Sequence, residues 1–174
     1  MLAARFARWR VPLGFACGAA ALFLARPTPR SMAMGGAIAI VGEMLRIWAA
    51  GHLDKGREVT QSGPYRFTRH PLYAGSGIIA AGVAVASSSV YVAAIIGVYI
   101  TLVVGSTVRH EEQNMRLRFG DEYDRYLRTP ISANRRPFSL DRALRVNKEY
   151  EAIAGLIAAA LVLAAKAALN AYQR

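Results

Sequence analysis

The sequence has one cysteine, Cys17, and only 11 acidic residues against 22 basic ones, which gives a formal net charge of +11. A single cysteine excludes an intrachain disulfide, and it indicates no redox compartment. Such a basic balance is common in nucleic-acid-binding proteins, but here the arginines lie beside apolar segments that are too long for a small soluble core. The sequence therefore predicts no nucleic-acid partner.

Apolar residues make up 54% of the chain, and they gather in five runs close to the roughly 20 residues that cross a bilayer as a helix. Helices are expected because hydrocarbon offers no partner for unpaired backbone groups. The sequence therefore predicts an all-α fold. We expect residues 1–174 to form a single domain, an integral membrane bundle of five transmembrane helices over residues 9–25, 32–50, 71–86, 90–108 and 152–171.

Positive charge is distributed unevenly between these spans. Seventeen of the 22 basic residues fall in the N-terminal stretch and in segments 51–70 and 109–148. The positive-inside rule places these three regions in the cytoplasm, so the N-terminus is predicted to be cytoplasmic and the C-terminus external.

The second long cytoplasmic segment carries apolar side chains at helical spacing over residues 113–127. The pattern predicts a helix lying in the membrane interface. Its apolar side consists of Met115, Phe119, Tyr123 and Tyr126. Gly120 weakens the middle of this helix, and a split into two helices at this residue stays open.

The stretch at residues 63–75, GPYRFTRHPLYAG, is the most informative part of the chain. Its Gly-Pro pair predicts a turn, and Pro71 suits the first turn of the third helix. Arg69 and His70 then lie at the N-terminus of that helix, where the helix dipole favours negative groups of a ligand. Tyr73 falls one turn further in.

Glu111 and Glu112 follow the fourth span. Because the third and fourth spans form a hairpin, the end of the fourth returns to the membrane surface at which the third begins. We therefore expect His70 and Tyr73 to face the two glutamates, although each motif alone would suit an interfacial anchor or a solvated loop.

Together the two motifs resemble the isoprenylcysteine carboxyl methyltransferases and the related membrane phospholipid methyltransferases. The resemblance covers roughly residues 36–131 and rests on RHPLY, a hairpin and then EEQNMRLRFGDEYDRY. Met115 stands where that pattern usually has leucine. Beyond residue 128 the chain departs from the family, with Thr129-Pro130-Ile131 and Arg135-Arg136-Pro137 in place of the usual Val-Pro and Ile-Pro pairs.

The resemblance implies that S-adenosylmethionine is the cofactor and that its site is formed by residues 63–75 and 109–131 on the cytoplasmic side. Carried over to this chain, the cofactor-binding residues are Tyr65, Arg69, His70, Tyr73, Gly75, Glu111 and Glu112. Glu112 is also a candidate catalytic residue. No metal site is predicted.

Glu43 and Arg46 lie three residues apart in the second span, on one face of its helix. Ionisable residues at membrane depth usually face the bundle interior and often mark function. Two interpretations stay open, a pair that braces the helices and a catalytic role in which Arg46 orients a carboxylate of the substrate or cofactor.

The predicted function is methyl transfer to a lipophilic substrate drawn from the membrane lipids, first of all carboxyl O-methylation of an isoprenylcysteine-like compound. Amine N-methylation of a phospholipid and S-methylation of a small thiol stay open. A carboxylate reacts as the ion, whereas an amine needs a base, for which Glu112 and His70 are the nearest candidates. An NADPH-dependent membrane reductase is the alternative of another class, and the oligomeric state is not indicated.

Overall fold

Helices make up most of the computed structural model, which describes residue 14 and residues 16–128 and 136–172. They are α1 over residues 16–24, α2 (Pro29–His52), α3 (Pro71–Ser87), α4 (Val90–Phe119), α5 (Asp121–Arg128) and α6 (Glu149–Tyr172). A short 3-10 helix (Gly63–Arg66) precedes α3, and a π-helical turn (Arg142–Val146) precedes α6. No residue in these ranges lies in a strand, so the all-α prediction is confirmed for them.

Three of the described helices, α2, α4 and α6, are long and apolar enough to cross a membrane. The apolar helix α3 has 17 residues, or about 25 Å of helix against a hydrocarbon thickness of about 30 Å. Residues 9–13 and 15 of the predicted first span, residues 9–25, lie outside the described residues. The fold is therefore that of a membrane protein with three candidate spanning helices, and the count of five stays a prediction.

The fourth helix is longer than predicted, because it continues past residue 108 to Phe119. Its 30 residues make about 45 Å of helix, more than the hydrocarbon layer holds. It ends at Gly120, whose φ of +47° is uncommon for residues with a side chain. The helix predicted over residues 113–127 is divided at Gly120, so that its first part continues α4 and its second part is α5. Its location in the membrane interface stays a prediction.

The two helices α2 and α3 pack antiparallel through glycines with matching seven-residue spacings. A Cβ on Gly42 would lie 2.7 Å from the carbonyl oxygen of Gly75, and a Cβ on Gly82 would lie 2.6 Å from that of Gly35. Such small residues let helix backbones approach closely, which is how helices associate within a membrane. This packing fixes the end of the bundle at which α2 stops and α3 starts.

The opposite end of the bundle is closed by a small apolar cluster, formed by Ala25, Ala86, Val92 and Leu163. Twenty residues of α4 separate Val92 from Glu112, which corresponds to about 30 Å of helix. The glutamates and this apolar cluster therefore lie at opposite ends of the bundle, about one hydrocarbon thickness apart.

Lys166 in α6 donates hydrogen bonds to the backbone oxygens of Leu22 and Phe23. These carbonyls belong to the last turn of α1. No later residue of that helix is available to donate an N–H to them. A lysine inside an apolar helix thus completes the end of a neighbouring helix.

Candidate active site

Two side-chain pairs join the start of α3 to the last third of α4. His70 Nε2 donates to Glu112 Oε1 at 3.1 Å, and the Tyr73 hydroxyl donates to Glu111 Oε2 at 2.8 Å. The rings of His70 and Tyr73 also lie side by side, with centroids 5.8 Å apart. The expectation that this histidine and tyrosine face the two glutamates is therefore confirmed.

The local sequence explains where His70 lies. Pro71 occupies the first turn of α3, and His70 is the residue that precedes the helix. Its backbone carbonyl accepts the first helical hydrogen bond, from Ala74 at 3.0 Å, while its side chain stays outside the helix. Because Pro71 lacks an N–H that would be unpaired there, it starts the helix at no cost in hydrogen bonding.

Glu111 and Glu112 lie within α4, not beyond its end as the sequence had indicated. Consecutive residues of an α-helix point about 100° apart, so the two carboxylates reach different partners on α3. The helical backbone holds both carboxylates in place, which a solvated loop would not do.

Three tyrosines lie in the same region as these pairs. The Tyr126 hydroxyl donates to the carbonyl oxygen of Tyr65 at 3.1 Å, and Tyr123 and Tyr126 form a buried cluster with Val59. Burial raises the pKa of all three phenols above the ordinary value, with a further contribution from Glu111 at Tyr65 and from Glu112 at Tyr123. The three phenols therefore stay neutral at physiological pH.

The apolar side predicted for residues 113–127 is the face that makes these contacts. Met115 and Phe119 are partly buried against the cluster of Val59, Tyr123 and Tyr126. The helical spacing was thus correct across Gly120, but the apolar face packs on the protein's own chain.

A cavity, called here the groove, opens beside the His70–Glu112 pair. Its wall is formed by loop residues 53, 55, 56 and 58–60, by the motif side chains Tyr65, Arg69 and His70, and by Glu111, Met115, Tyr123 and Tyr126 of α4 and α5. Acidic, basic and aromatic side chains therefore converge at one end of the helical bundle.

Comparison with known proteins assigns this arrangement to a family. The sequence profile of the phospholipid methyltransferases matches residues 31–122, which include α2, α3, α4 and both side-chain pairs. The chain belongs to the phospholipid methyltransferase family. Membership indicates a membrane methyltransferase, and members of the family generally use S-adenosylmethionine.

One curated relative is a nickel-cobalt-cadmium resistance protein, NccN, of Alcaligenes xylosoxydans xylosoxydans. It is 30% identical over 99 residues, which are 56% of this chain and 45% of the relative. The chain thus spans less than half the length of that relative. No solved structure matches the chain.

In this member of the family, the motif residues divide into two groups. Tyr65 and Arg69 line the groove together with His70 and Glu111, as the motif implies. Gly75 lies instead at the crossing of α2 and α3, where a Cβ would be 2.6 Å from Cγ of Arg46. Helix packing accounts for Gly75, and no described contact brings it to the groove.

Arg46 is engaged by residues of two other helices. Its guanidinium binds both carboxylate oxygens of Glu149 on α6 at 2.9 and 3.1 Å, and it donates to Ser76 on α3 at 2.5 Å. The ion pair with Glu43 is longer, 3.8 Å. This geometry favours the interpretation of Arg46 as a brace between helices over the catalytic one.

Glu149 and Ser76 are partners of Arg46 that the sequence analysis missed. Glu149 is separated from Arg46 by 103 positions, so spacing within one helix could not connect them. A buried arginine in an apolar helix does require a counter-charge, and an acidic residue at the start of the last apolar run was the available signal.

Proposed function

We propose that this protein transfers a methyl group from S-adenosylmethionine to a lipophilic substrate at the end of the bundle that carries the groove. The observation that carries the proposal is the pair of contacts His70–Glu112 and Tyr73–Glu111. Both halves of the motif are thereby assembled on one surface, inside the region that matches the family.

The side chains around the groove suit the chemistry of this cofactor. The carboxylates of Glu111 and Glu112 complement a sulfonium, an ammonium or ribose hydroxyls. Arg69 and the N-terminus of α3 complement the carboxylate of the cofactor, and the faces of Tyr123 and Tyr126 suit the adenine ring. The enclosed space is about 80 Å³, below the roughly 300–1,000 Å³ of typical small-molecule sites, so we expect the groove to widen on binding.

When bound, the cofactor supplies an activated methyl group on a positively charged sulfur. The protein's contribution to such a displacement is alignment and the exclusion of water. The helical position of Glu111 and its contact with Tyr73 fix one negative charge in the wall of the groove. The buried side chains of Tyr65, Tyr123 and Tyr126 contribute neutral aromatic surface to the same groove.

The first candidate substrate is a lipophilic carboxylate of the isoprenylcysteine type, which follows from the resemblance to the isoprenylcysteine methyltransferases; it reacts as the ion and needs no base. A phospholipid amine is the second candidate, because an amine that gains a methyl group must lose a proton, and the nearest bases are His70 and Glu112, which contact each other at 3.1 Å. Both side chains are partly exposed, so a nucleophile could reach them.

We further propose that the groove faces the cytoplasm, because most of the basic residues lie in segments at its end of the bundle. Single cysteines placed in a Cys17→Ser background test this orientation. A cysteine at residue 55 is expected to react with an impermeant thiol reagent only after the cell membrane is opened, and a cysteine at residue 28 is expected to react in intact cells. The reverse pattern would contradict the cytoplasmic site.

Binding and turnover measurements on the full chain in detergent test the function itself. We expect saturable binding of S-adenosylhomocysteine and no competition by NADPH. Labelled cofactor with a panel of isoprenylcysteines, phospholipid amines and small thiols then identifies the nucleophile. Binding of NADPH in place of S-adenosylhomocysteine would indicate the membrane reductase.

A further inference from the structure

Arg136 lies between two carboxylates of the loop beside the groove, that of Glu58, which lines the groove, and that of Asp54, which does not. Its Nη1 is 2.7 Å from Oδ2 of Asp54, and its Nε is 3.0 Å from Oε1 of Glu58. All three side chains are at most about one-quarter exposed, at 24%, 20% and 24%. A partly buried guanidinium that binds two carboxylates through different nitrogens sets their separation more strictly than a flexible surface pair does.

Both acidic residues belong to a stretch of the groove wall that has no regular secondary structure. Asp54 receives a backbone hydrogen bond from Arg57 at 3.2 Å, and its own N–H donates to the Thr60 hydroxyl at 3.3 Å. Glu58 lines the groove. The neighbouring Val59 packs against the tyrosines of α5, so the position of this stretch decides the shape of the wall.

The chain that follows Arg136 is fixed to the end of α2. Ser139 donates its backbone N–H to the carbonyl of Gly51 at 3.1 Å, and Arg142 donates to the same carbonyl at 2.7 Å. The Asn147 side chain donates to the carbonyls of Ala50 and Leu53 at 2.8 and 3.1 Å. Carbonyls at a helix end lack part of their helical partners, and these contacts anchor the segment from which Arg136 extends.

We propose that Arg136 is a positioning residue for the groove, which it serves by fixing Asp54 and Glu58 and so the wall between them. The inference rests on the proposed function, since the affinity it affects is that for the cofactor. Arg136 is not among the residues that line the groove, so it acts through the two acids. Without its charge the two carboxylates repel each other, and the wall must be ordered when the cofactor binds.

The test compares Arg136→Gln with Arg145→Gln in the full chain in detergent. Arg145 pairs with Asp141 at 3.3 Å in the same segment, but both side chains are more than 60% exposed, which makes it a matched control. We expect Arg136→Gln to weaken S-adenosylhomocysteine binding about tenfold, because residues of one salt-bridge network are energetically coupled. Arg145→Gln is expected to leave binding unchanged. Arg136→Lys should recover part of the loss, because an ammonium lacks the planar fork.

Two further readouts separate positioning from general stability. The KM for the cofactor should rise in Arg136→Gln while kcat at saturating cofactor changes little, and the backbone amides of residues 54–60 should exchange hydrogen faster in this variant alone. Should Arg136→Gln fail to fold, Asp54→Asn and Glu58→Gln remove the same contacts from the other side and are expected to show the same pattern.

The outcomes distinguish this inference from the proposed function. Absence of S-adenosylhomocysteine binding in the wild type would contradict the proposed function, and hydrogen exchange would still report whether Arg136 orders residues 54–60. Wild-type affinity and wild-type exchange in a folded Arg136→Gln variant would overturn the positioning role.

Discussion

His70 Nε2 lies 3.1 Å from Oε1 of Glu112, a residue 42 positions further along the chain. One contact thus joins the open ends of the α3–α4 hairpin, the start of α3 and the last third of α4, at the groove end of the bundle. The side chain of the histidine is 21% exposed and that of the glutamate 38%, so the pair is shielded but still open to a ligand. An interaction of this kind is expected to contribute to ligand binding more than to folding.

Removing either partner should weaken cofactor binding. His70→Ala and Glu112→Ala are each expected to reduce S-adenosylhomocysteine affinity by about tenfold or more, and the double variant should lose less than the product of the two, since contacting residues couple. Calorimetric titration of the purified variants measures this. His110→Ala, an exposed neighbour on the same helix, should bind normally. Normal affinity in both single variants would remove the site assignment.

The buried tyrosines predict a loss of stability at alkaline pH. The folded-state pKa of Tyr65 is raised by burial above the unfolded value of about 10. Its contribution is therefore complete below pH 10 and is lost as the pH rises from there through the folded-state pKa, by at most about 1.4 kcal/mol per pH unit. Thermal unfolding between pH 8 and 11 measures the decline.

Tyr65→Phe should flatten that decline, because phenylalanine has no proton to lose. The control is Tyr150→Phe, which changes a tyrosine that is 53% exposed and should leave the slope as in the wild type. An equal slope in the wild type and in Tyr65→Phe would show that another group controls alkaline unfolding.

Replacement of Arg46 should chiefly destabilise the fold. Arg46→Met leaves Glu149, whose side chain is only 5% exposed, without its counter-charge, and we expect a loss of about 3–5 kcal/mol in the free energy of unfolding. Adding Glu149→Leu should restore most of it. Arg46→Met protein of normal stability but without turnover would instead support the catalytic role.

Glu43→Met should behave in the opposite way. Among the described residues no hydrogen-bond donor reaches either carboxylate oxygen of Glu43, and its ion pair with Arg46 is long at 3.8 Å. A buried carboxylate in such a site adds little to stability, so the apolar replacement is expected to be neutral or stabilising by about 1 kcal/mol. Melting temperatures in detergent compare the two variants. A large loss of stability in Glu43→Met would show a partner for this carboxylate that the described contacts lack.

The packing of α2 on α3 is tested by a pair of neighbouring glycine positions. Gly42→Ala places a Cβ 2.7 and 2.8 Å from backbone atoms of Gly75 and Ile79, so the helices must separate at a cost of about 1–3 kcal/mol. Gly36→Ala meets nothing within 4 Å and should be neutral or slightly stabilising, because alanine is the better helix former. Equal melting temperatures for the two variants would contradict the close approach of the helices.

Part of the fold was readable from local sequence. Pro71 and the serines at positions 87–89 marked the ends of α3 and the start of α4 within one residue, because proline and capping hydroxyls act on the nearest turn. The end of α4 was misplaced by 11 residues, from 108 to 119. The hydrophobicity of the sequence shows where the chain leaves the lipid. The helix continues beyond that point, because its backbone hydrogen bonds stay satisfied there.

By itself the sequence determined the helical class, the family motif and the meeting of residues 63–75 with residues 111–126, because a hairpin of two apolar helices returns its ends to one surface. Only the tertiary structure decided that Arg46 binds Glu149, that Gly75 packs against α2, and that Arg136 holds Asp54 and Glu58. The partners in those contacts are far apart in the sequence. Gly42 and Gly75 are 33 positions apart and Arg46 and Glu149 are 103 apart, while Arg136 follows Glu58 by 78 positions and Asp54 by 82. No local spacing rule connects such residues, since their partners are chosen by the packing of whole helices.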